Sequence, residues 1–111
     1  NGAGVPCTVE VDVPGRCAAS VEATAYFVVA EALTNVTKHS GARTAAVTVR
    51  REGDRLLLRI VDDGRGGASA ANGGSGLAGI RRRVEAYDGR FELTSPPGGP
   101  TTMDVELPCG S

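Results

Sequence analysis

The stretch TAAVTVRREGDRLLLRIVDDG, residues 44–64, decides the fold that we predict for this chain. Two apolar-rich segments flank a short polar turn at residues 52–54, an arrangement typical of an antiparallel β-hairpin. The second strand runs directly into Asp62, Asp63 and Gly64. A carboxylate at a strand end beside glycine favours a site where a ligand can approach the backbone. From these residues alone, a plain Asp-Gly turn is the alternative.

Segments on both sides of the hairpin complete the predicted secondary structure. They are a strand at residues 7–13, a helix at 19–40, a second helix at 77–87, and two closing strands at 90–95 and 101–108. The strands show alternating apolar and polar residues, whereas the helices show apolar residues at spacings of three and four. This order predicts an α+β fold, a two-layer α/β sandwich whose mixed, mostly antiparallel sheet carries both helices on one face.

The first predicted helix carries chemically useful side chains beside its apolar stripe. That stripe comprises Ala25, Val29, Ala32, Leu33 and Val36, and the stripe of the second helix comprises Leu77, Ile80, Val84 and Tyr87. Glu31, Asn35, Lys38 and His39 fall on a strip about 120° to one side of the first stripe. A carboxylate, a carboxamide, a cation and an imidazole could hold a metal-bound phosphate chain and position a proton acceptor. A solvated polar flank is the alternative.

Composition limits the classes of function. The 111 residues suit a single domain spanning residues 1–111, and 12 Lys+Arg against 13 Asp+Glu give a net charge of -1. This balance argues against long-range attraction to nucleic acid or an acidic membrane. No apolar run is long enough to cross a bilayer, so we expect a soluble piece. Three cysteines without the paired spacing of a zinc site predict free thiols in a reducing cytoplasm.

Six of the 16 glycines lie in the segment DDGRGGASAANGGSG, between the hairpin and the second helix. Within GGSGLAGIRRRV, a glycine-rich loop becomes a helix, and such a junction directs free N–H groups and the positive helix end at an anion. Gly74, Gly76 and Gly79 match the dinucleotide fingerprint, but the motif follows a loop rather than a strand and no βαβ unit follows it. A P-loop motif does not occur. Any phosphate is therefore bound in another way.

Three stretches in this order resemble the nucleotide-binding catalytic domain of sensor histidine kinases, within the superfamily of gyrase, Hsp90, histidine kinase and MutL ATPases. EALTNVTKHS is similar to the N box, DDGRGG to the G1 box and GSGLAGIRRRV to the G2 box. The amino-acid sequences of the first and third boxes are most similar to those of the nitrate-sensor-like subfamily. The resemblance extends over residues 21–108 and implies the Bergerat ATP-binding fold, with ATP and Mg²⁺ as its ligands.

The resemblance assigns roles to individual residues. Asp62 would accept a hydrogen bond from the exocyclic amine of adenine, with a bridging water reaching Thr101, and this selects adenine over guanine. Asn35 would be a direct oxygen ligand of Mg²⁺. The glycine-rich boxes would supply the nucleotide contacts of Gly64, Gly66, Gly74, Gly76, Leu77 and Gly79.

The N box would also supply the groups closest to the transferred phosphate. Lys38 would approach phosphate oxygens as a point charge, with His39 near the same chain. Glu31 would orient or deprotonate the histidine that is phosphorylated, which makes it the catalytic residue of this prediction. The loop 67–74 would be the ATP lid, ordered mainly when nucleotide is present.

The resemblance also implies partners. A complete kinase carries its phosphoacceptor histidine on a separate dimerisation domain, and the single histidine here is His39. We therefore expect a fragment that binds Mg-ATP but cannot autophosphorylate. It would meet the dimerisation domain of its own kinase and, through that domain, a response regulator. We expect no nucleic acid, no direct membrane contact, a monomer in isolation, and a cytoplasmic location beneath a parent that can be membrane-anchored.

Two other functions stay open, namely an anti-sigma-factor-type serine kinase of the same superfamily and a nucleotide-binding module without turnover.

The chain also departs from the family pattern. Asp63 stands where the family often has Asn, and it adds a negative charge next to the predicted adenine pocket. The sequence leaves open whether this charge favours or opposes nucleotide binding. Arg82 stands where the subfamily frequently has Glu, and Pro100 replaces the usual Gly. A solvated helix face is one interpretation of the run 81–83; the other is a contact of Arg83, rather than of its neighbours, with phosphate or a neighbouring domain.

Overall fold

A computed structural model describes residues 7–36, 42–64 and 76–110. In chain order the elements are β1 (Cys7–Asp12), α1 (Ala19–Asn35), β2 (Ala45–Glu52), β3 (Arg55–Asp62), α2 (Gly76–Ala86), β4 (Arg90–Thr94) and β5 (Thr101–Pro108). The predicted order of strands and helices is confirmed. Residues 37–41, where the first helix was predicted to end, and the glycine-rich loop 65–75 lie outside the described residues.

The strands form one five-stranded sheet in the order β1-β2-β3-β5-β4. β1 pairs with β2 in parallel, and the other three pairings are antiparallel. The predicted mixed, mostly antiparallel sheet is therefore confirmed. Within the described ranges, no helix is both long and apolar enough to cross a membrane.

Alternating residues of β3 and β5 turn towards the two helices. Their buried side chains form one hydrophobic core with residues of α1 and α2: Leu56, Leu58, Ile60, Met103, Val105 and Leu107 from the sheet, and Val21, Val28, Ala32, Leu77, Ile80 and Val84 from the helices. Because successive strand residues point to opposite faces, the next residue along each strand faces away from the helices. This alternation fixes the face on which every residue of the site lies.

The buried side of α1 differs from the predicted stripe. The helix buries Val21, Thr24, Val28 and Ala32, whereas Ala25, Val29 and Leu33 are only half-buried. Of the predicted stripe, Ala32 and Val36 alone are fully buried. The stretch AYFVVA is apolar around most of the helix, so apolar spacing alone could not select the buried side. The predicted buried side was therefore rotated about the helix axis, by about one residue, from the side that the structure buries.

The prediction for α2 was correct except at its end. Leu77, Ile80 and Val84 are buried in the core, but Tyr87 lies beyond the last helical residue, Ala86, and is exposed. The chain turns there through Asp88, which has a positive φ of 60°. Tyr87 belongs to this turn and no longer follows the helical period, which explains the error.

The expectation that all three cysteines are free thiols was wrong for two of them. Cys17 and Cys109 are joined by a disulfide, with their Cα atoms 4.7 Å apart, and both are buried. Cys7 is free and exposed. The residue before α1 meets the residue after β5 in space although 92 positions separate them, and sequence spacing carries no information on such a contact.

Backbone and side-chain hydrogen bonds hold the start of α1 beside Cys109, at the end of the sheet where β5 finishes. The N–H of Ala18 donates to the carbonyl of Cys109 at 2.9 Å. Ala18 offers no capping side chain, so the carboxylate of Glu22 accepts the N–H of Cys17 instead, at 3.1 Å. Arg16 holds the same carboxylate at 2.7 Å. The direction of α1 is therefore fixed beside the end of β5.

Candidate functional site

Three residues form a row across the helix-covered face at one end of the sheet. Asp62, the last residue of β3, has Ala45 of β2 and Thr101 of β5 as its direct partners. Because buried residues of each strand alternate up to this row, all three side chains lie on the face that carries the helices. The sequence predicted that Asp62 and Thr101 act together, and the structure places them side by side.

Asp62 is a buried carboxylate with one oxygen already engaged. Its exposed fraction is 4%, and its Oδ1 accepts the N–H of Gly64 at 2.8 Å. Burial raises the pKa of Asp62 above its ordinary value; the Gly64 N–H opposes this rise, and the charge of Asp63 adds to it. The other carboxylate oxygen is the group that could accept a hydrogen bond from a ligand.

Thr101 is half-buried beside Asp62 and makes a hydroxyl contact of its own. Its Oγ1 lies 2.6 Å from the Oγ of Ser95, and either atom can be the donor. Ser95 follows β4 immediately, so the hydroxyl pair links the two edges of the turn 96–100. The sequence analysis did not select Ser95. The threonine-rich start of β5 was the only signal near it.

The buried side of α1 becomes polar in its last turns. Glu31 lies seven residues after buried Thr24, and Asn35 lies seven residues after buried Val28. Seven residues are close to two full turns, so both side chains continue lines of core residues. The prediction that they lie well to one side of the core stripe was wrong, because the stripe itself was misplaced. Both residues are half-buried.

Asn35 has a buried amide nitrogen that lacks a partner among the described residues. Buried polar atoms in proteins are nearly always hydrogen-bonded, because an unmade bond costs about 1–3 kcal/mol. Such an atom on a half-buried side chain therefore indicates a place for an oxygen acceptor from outside the described chain. Its carboxamide oxygen is a hard ligand of the type that Mg²⁺ prefers.

The length of α1 relates its end to the row on the sheet. The helix begins beside Cys109, at the end of β5 where β3 starts, and it packs on β3. Its 17 residues extend about 25 Å, and the eight residues of β3 extend about 26 Å. The helix is therefore long enough to run along β3 to the end that carries Asp62.

The start of α2 supplies the third part of the site. Gly76 is its first residue, and the backbone N–H groups of a first helical turn have no partners within the helix. Leu77 buries its side chain in the core, so only its backbone can face a ligand. Gly79 lies inside the helix, and a Cβ added there would meet no atom within 4 Å.

Several predicted site residues lie outside the described residues, namely Lys38, His39, Gly66 and Gly74, together with the predicted lid 67–74. Their roles stay predictions. Arg83, which we expected to meet phosphate or a neighbouring domain, lies over the ring of Phe27 at 4.3 Å from its centre. It therefore links α2 to α1 on the side of the helices.

Asp63 is the residue whose structural role the sequence left open. Its Oδ1 accepts the backbone N–H groups of Arg43 at 2.8 Å and Thr44 at 3.0 Å, and its Oδ2 accepts the Thr44 hydroxyl at 3.1 Å. These hydrogen bonds lower the pKa of Asp63, those from Thr44 and Arg43 most strongly. A contact between positions 20 residues apart leaves no periodic signal in the sequence.

Comparison with known proteins identifies the class of this domain. The family model for the histidine kinase-, DNA gyrase B- and HSP90-like ATPases matches residues 20–111. Two solved structures share the fold. The histidine kinase domain of the blue-light activated kinase EL346 from Erythrobacter litoralis has a TM-score of 0.73 and 23% identity over 98% of this chain and 56% of its own. The histidine kinase AdeS from Acinetobacter baumannii has a TM-score of 0.71 and 16% identity, over 96% of this chain and 56% of the AdeS chain.

The chain therefore belongs to the histidine kinase-, DNA gyrase B- and HSP90-like ATPase family, and its named relatives are sensor histidine kinases. NarS from Mycobacterium tuberculosis is 36% identical over an alignment of 111 positions, which covers 95% of this chain and 25% of NarS. DesK from Bacillus subtilis is 34% identical over 77 residues, 68% of this chain and 21% of DesK. The chain spans about a quarter of the length of these relatives.

Proposed function

We propose that this domain binds Mg-ATP and transfers the γ-phosphate to a histidine on a separate dimerisation domain, for relay to a response regulator. The observation that carries the proposal is the pairing of Asp62 with Thr101 on the helix-covered face. A buried carboxylate with one oxygen that has no partner among the described residues suits the exocyclic amine of adenine, and the guanine carbonyl would meet the same oxygen as a second acceptor. The pair therefore recognises adenine.

Asn35 fits the metal and phosphate end of this ligand. Mg²⁺ is usually held by one or two protein oxygens together with substrate phosphates and water, so a single carboxamide oxygen suits it. When bound, the ion would neutralise charge on the phosphate chain. The buried amide nitrogen of Asn35 could then donate to a phosphate oxygen, which would satisfy an atom that has no acceptor among the described residues.

Glu31 is proposed as the catalytic residue. It lies one helical turn before Asn35 and continues the line of Thr24, so it lies next to the proposed phosphate position. A carboxylate there can orient the accepting imidazole and take its proton. Lys38 and His39 are proposed to bind phosphate oxygens, and Gly64, Gly66, Gly74, Gly76, Leu77 and Gly79 to line the nucleotide with their backbone.

The remaining proposals concern the parent protein. We place the domain in the cytoplasm, as a monomer in isolation, with the dimerisation domain of its own kinase as its direct partner. Its relatives NarS and DesK are named sensor histidine kinases, which supports this arrangement.

The test is a titration of the domain with a fluorescent ATP analogue, with and without Mg²⁺, in competition with ATP and GTP. We expect Mg²⁺-dependent binding that ATP displaces and GTP does not. Addition of a purified dimerisation domain should then give acid-labile, alkali-stable phosphate on its histidine. Phosphate on a serine of an added anti-anti-sigma partner would instead indicate the serine kinase, and binding without transfer to either would indicate a module without turnover.

Glu31→Gln separates binding from chemistry. It should leave the affinity for the ATP analogue within about twofold of the original and reduce transfer by about 100-fold or more, the usual range for a general base. Equal rates in the variant and the original protein would remove Glu31 from the mechanism.

A further inference from the structure

Asp63 is exposed, yet both oxygens of its carboxylate accept hydrogen bonds from a part of the chain about 20 residues away. Three donors from Arg43 and Thr44 converge on its two oxygens. In addition, its own N–H donates to the carbonyl of Thr44 at 3.3 Å. Four hydrogen bonds thus join residues 43–44 to residue 63, immediately beyond the last pair of the β2–β3 ladder, Ala45 with Asp62.

This cluster lies beside the carboxylate part of the proposed site. Residues 42–44 are the described residues that lead into β2. Residue 63 stands between Asp62 and Gly64, the carboxylate and the N–H that bond each other at 2.8 Å. A shift of the backbone at residue 63 would therefore change the direction in which Asp62 presents its other oxygen.

We propose that Asp63 is a positioning residue for adenine recognition, which binds Arg43 and Thr44 and thereby fixes the backbone that aims Asp62 at the ligand. This inference rests on the proposed function, because Asp62 must be the adenine acceptor for its direction to matter. Asp63 itself does not touch the nucleotide.

Asp63 acts through two effects that can be separated. Its hydrogen bonds fix the backbone, and its charge acts on Asp62. The ladder neighbours of Asp62, Ala45 and Thr101, are uncharged, so Asp63 is the charged side chain that affects the pKa of Asp62 among the described residues. That charge raises the pKa of Asp62, while the Gly64 N–H lowers it.

Asparagine and alanine distinguish the two effects. In Asp63→Asn the amide oxygen can still accept both N–H groups, and the amide nitrogen can donate to the Thr44 hydroxyl oxygen, so the backbone stays fixed while the charge is lost. Asp63→Ala removes every side-chain bond. Asp104 offers matched controls, since it is another partly exposed aspartate, paired with Arg59 on the sheet at 2.7 Å.

The experiment measures dissociation constants of a fluorescent ATP analogue and its displacement by ATP and GTP, for the wild type, D63N, D63A, D104N and D104A, from pH 5 to pH 8. We expect D63A to weaken ATP about 10-fold and GTP much less, because a misdirected acceptor loses selectivity for adenine. D63N should retain the neutral-pH affinity within about twofold, and the pH at which its binding fails should be lower than in the wild type. Both Asp104 variants should match the wild type.

Thermal denaturation of each variant gives its folded fraction, which corrects the dissociation constants. A merely structural role of Asp63 would weaken ATP and GTP by the same factor, and that result would overturn the proposal. Coincident pH profiles for D63N and the wild type would overturn the part that concerns charge. If the wild type itself does not bind ATP, the proposed function fails first, and this outcome is distinct from selective binding that D63A leaves unchanged.

Discussion

Asn35 lies two helical turns after Val28 on the same buried side of α1, so the line of core residues ends in a carboxamide. Val28 is fully buried, and the amide nitrogen of Asn35 is buried without an acceptor among the described residues. An asparagine in this position costs stability unless a ligand completes its bonds. The relationship connects the packing of the helix directly to its proposed function.

The first prediction concerns Asn35→Ala. The change removes a buried donor without a partner, so the free energy of unfolding should change by no more than about 1 kcal/mol. The affinity for the ATP analogue in the presence of Mg²⁺ should fall at least about 10-fold, because the proposed metal ligand is lost. The measurements are urea denaturation and nucleotide titration with and without Mg²⁺.

Thr34→Ala is the control for this prediction. Thr34 is the exposed neighbour of Asn35, and its hydroxyl donates to the Ala30 carbonyl of its own helix, at 2.9 Å. It should change neither Mg²⁺-dependent affinity nor selectivity. Normal Mg-ATP binding by Asn35→Ala would show that another residue is the metal ligand.

The second prediction concerns Asp62→Asn, which should stabilise the free domain and weaken ATP. Burial raises the pKa of Asp62 above its unfolded value of 3.8, so the charged form destabilises the fold. The favourable contribution of this group is complete below the unfolded pKa and is lost as pH rises through the folded pKa. Asparagine should therefore raise the free energy of unfolding at pH 7, and the difference should disappear at acid pH.

Although Asp62→Asn should stabilise the free domain, it should weaken the binding of ATP. The side-chain oxygen can keep its bond to the Gly64 N–H, and the amide nitrogen then faces the base as a donor. ATP should bind about 10- to 100-fold more weakly, since a hydrogen bond to a charged acceptor contributes about 1.5–3 kcal/mol. GTP should gain relative to ATP. Unchanged ATP selectivity would exclude Asp62 as the adenine acceptor.

Different parts of this molecule were predictable to different degrees, for physical reasons. Strand alternation is strict, so the position of Asp62 at the end of a strand followed from the sequence, and the family resemblance paired it with Thr101. The buried side of α1 did not follow, because Tyr26, Phe27, Val28 and Val29 are apolar in succession and the structure leaves Tyr26 exposed. The Cys17–Cys109 pair and the Asp63 contacts join distant positions, and no local pattern encodes them.

The third prediction concerns the start of α1. Arg16 holds Glu22, and this bond, followed by the N–H of Cys17, lowers the pKa of Glu22 to about 2 from 4.5. A lowered pKa contributes stability that is present above the unfolded value and is lost as pH falls through the folded value. Glu22→Gln should therefore lower the melting temperature at pH 7, and the difference should shrink between pH 4.5 and about pH 2.

Glu10 of β1 provides the control for the third prediction, since it is an exposed glutamate. Melting curves of Glu10→Gln and Glu22→Gln should be recorded across the same pH series. An equal, pH-independent effect of both changes would contradict the assigned role of the Arg16–Glu22 pair.

The fourth prediction compares two glycines. Gly89 follows α2, and a Cβ there would lie 2.6 Å from the Glu106 carbonyl oxygen and 2.8 Å from side-chain carbons of Leu107 and Val84. Gly89→Ala should destabilise the domain by about 1–3 kcal/mol or more, because backbone must move. Gly79→Ala meets open space inside a helix and should stabilise it by about 0.5–1 kcal/mol.

Nucleotide binding by Gly79→Ala adds a second readout. The free domain has room for the methyl group, so a loss of affinity in a more stable protein would place the ligand against Gly79. Retained affinity would remove this glycine from the proposed contacts. Urea denaturation and titration with the ATP analogue measure the two quantities on the same samples.

The last prediction concerns the Cys17–Cys109 disulfide, which closes a loop between positions 92 residues apart. A crosslink over such a separation restricts the unfolded chain and typically contributes about 2–4 kcal/mol to the free energy of unfolding. In a Cys7→Ser background, which leaves only this pair, reductant should lower stability by that amount. The same reductant should leave the stability of a Cys7→Ser, Cys17→Ser, Cys109→Ser variant unchanged. Thiol labelling followed by mass spectrometry reports the bond directly, and two reactive thiols in the native oxidised protein would show that it does not form.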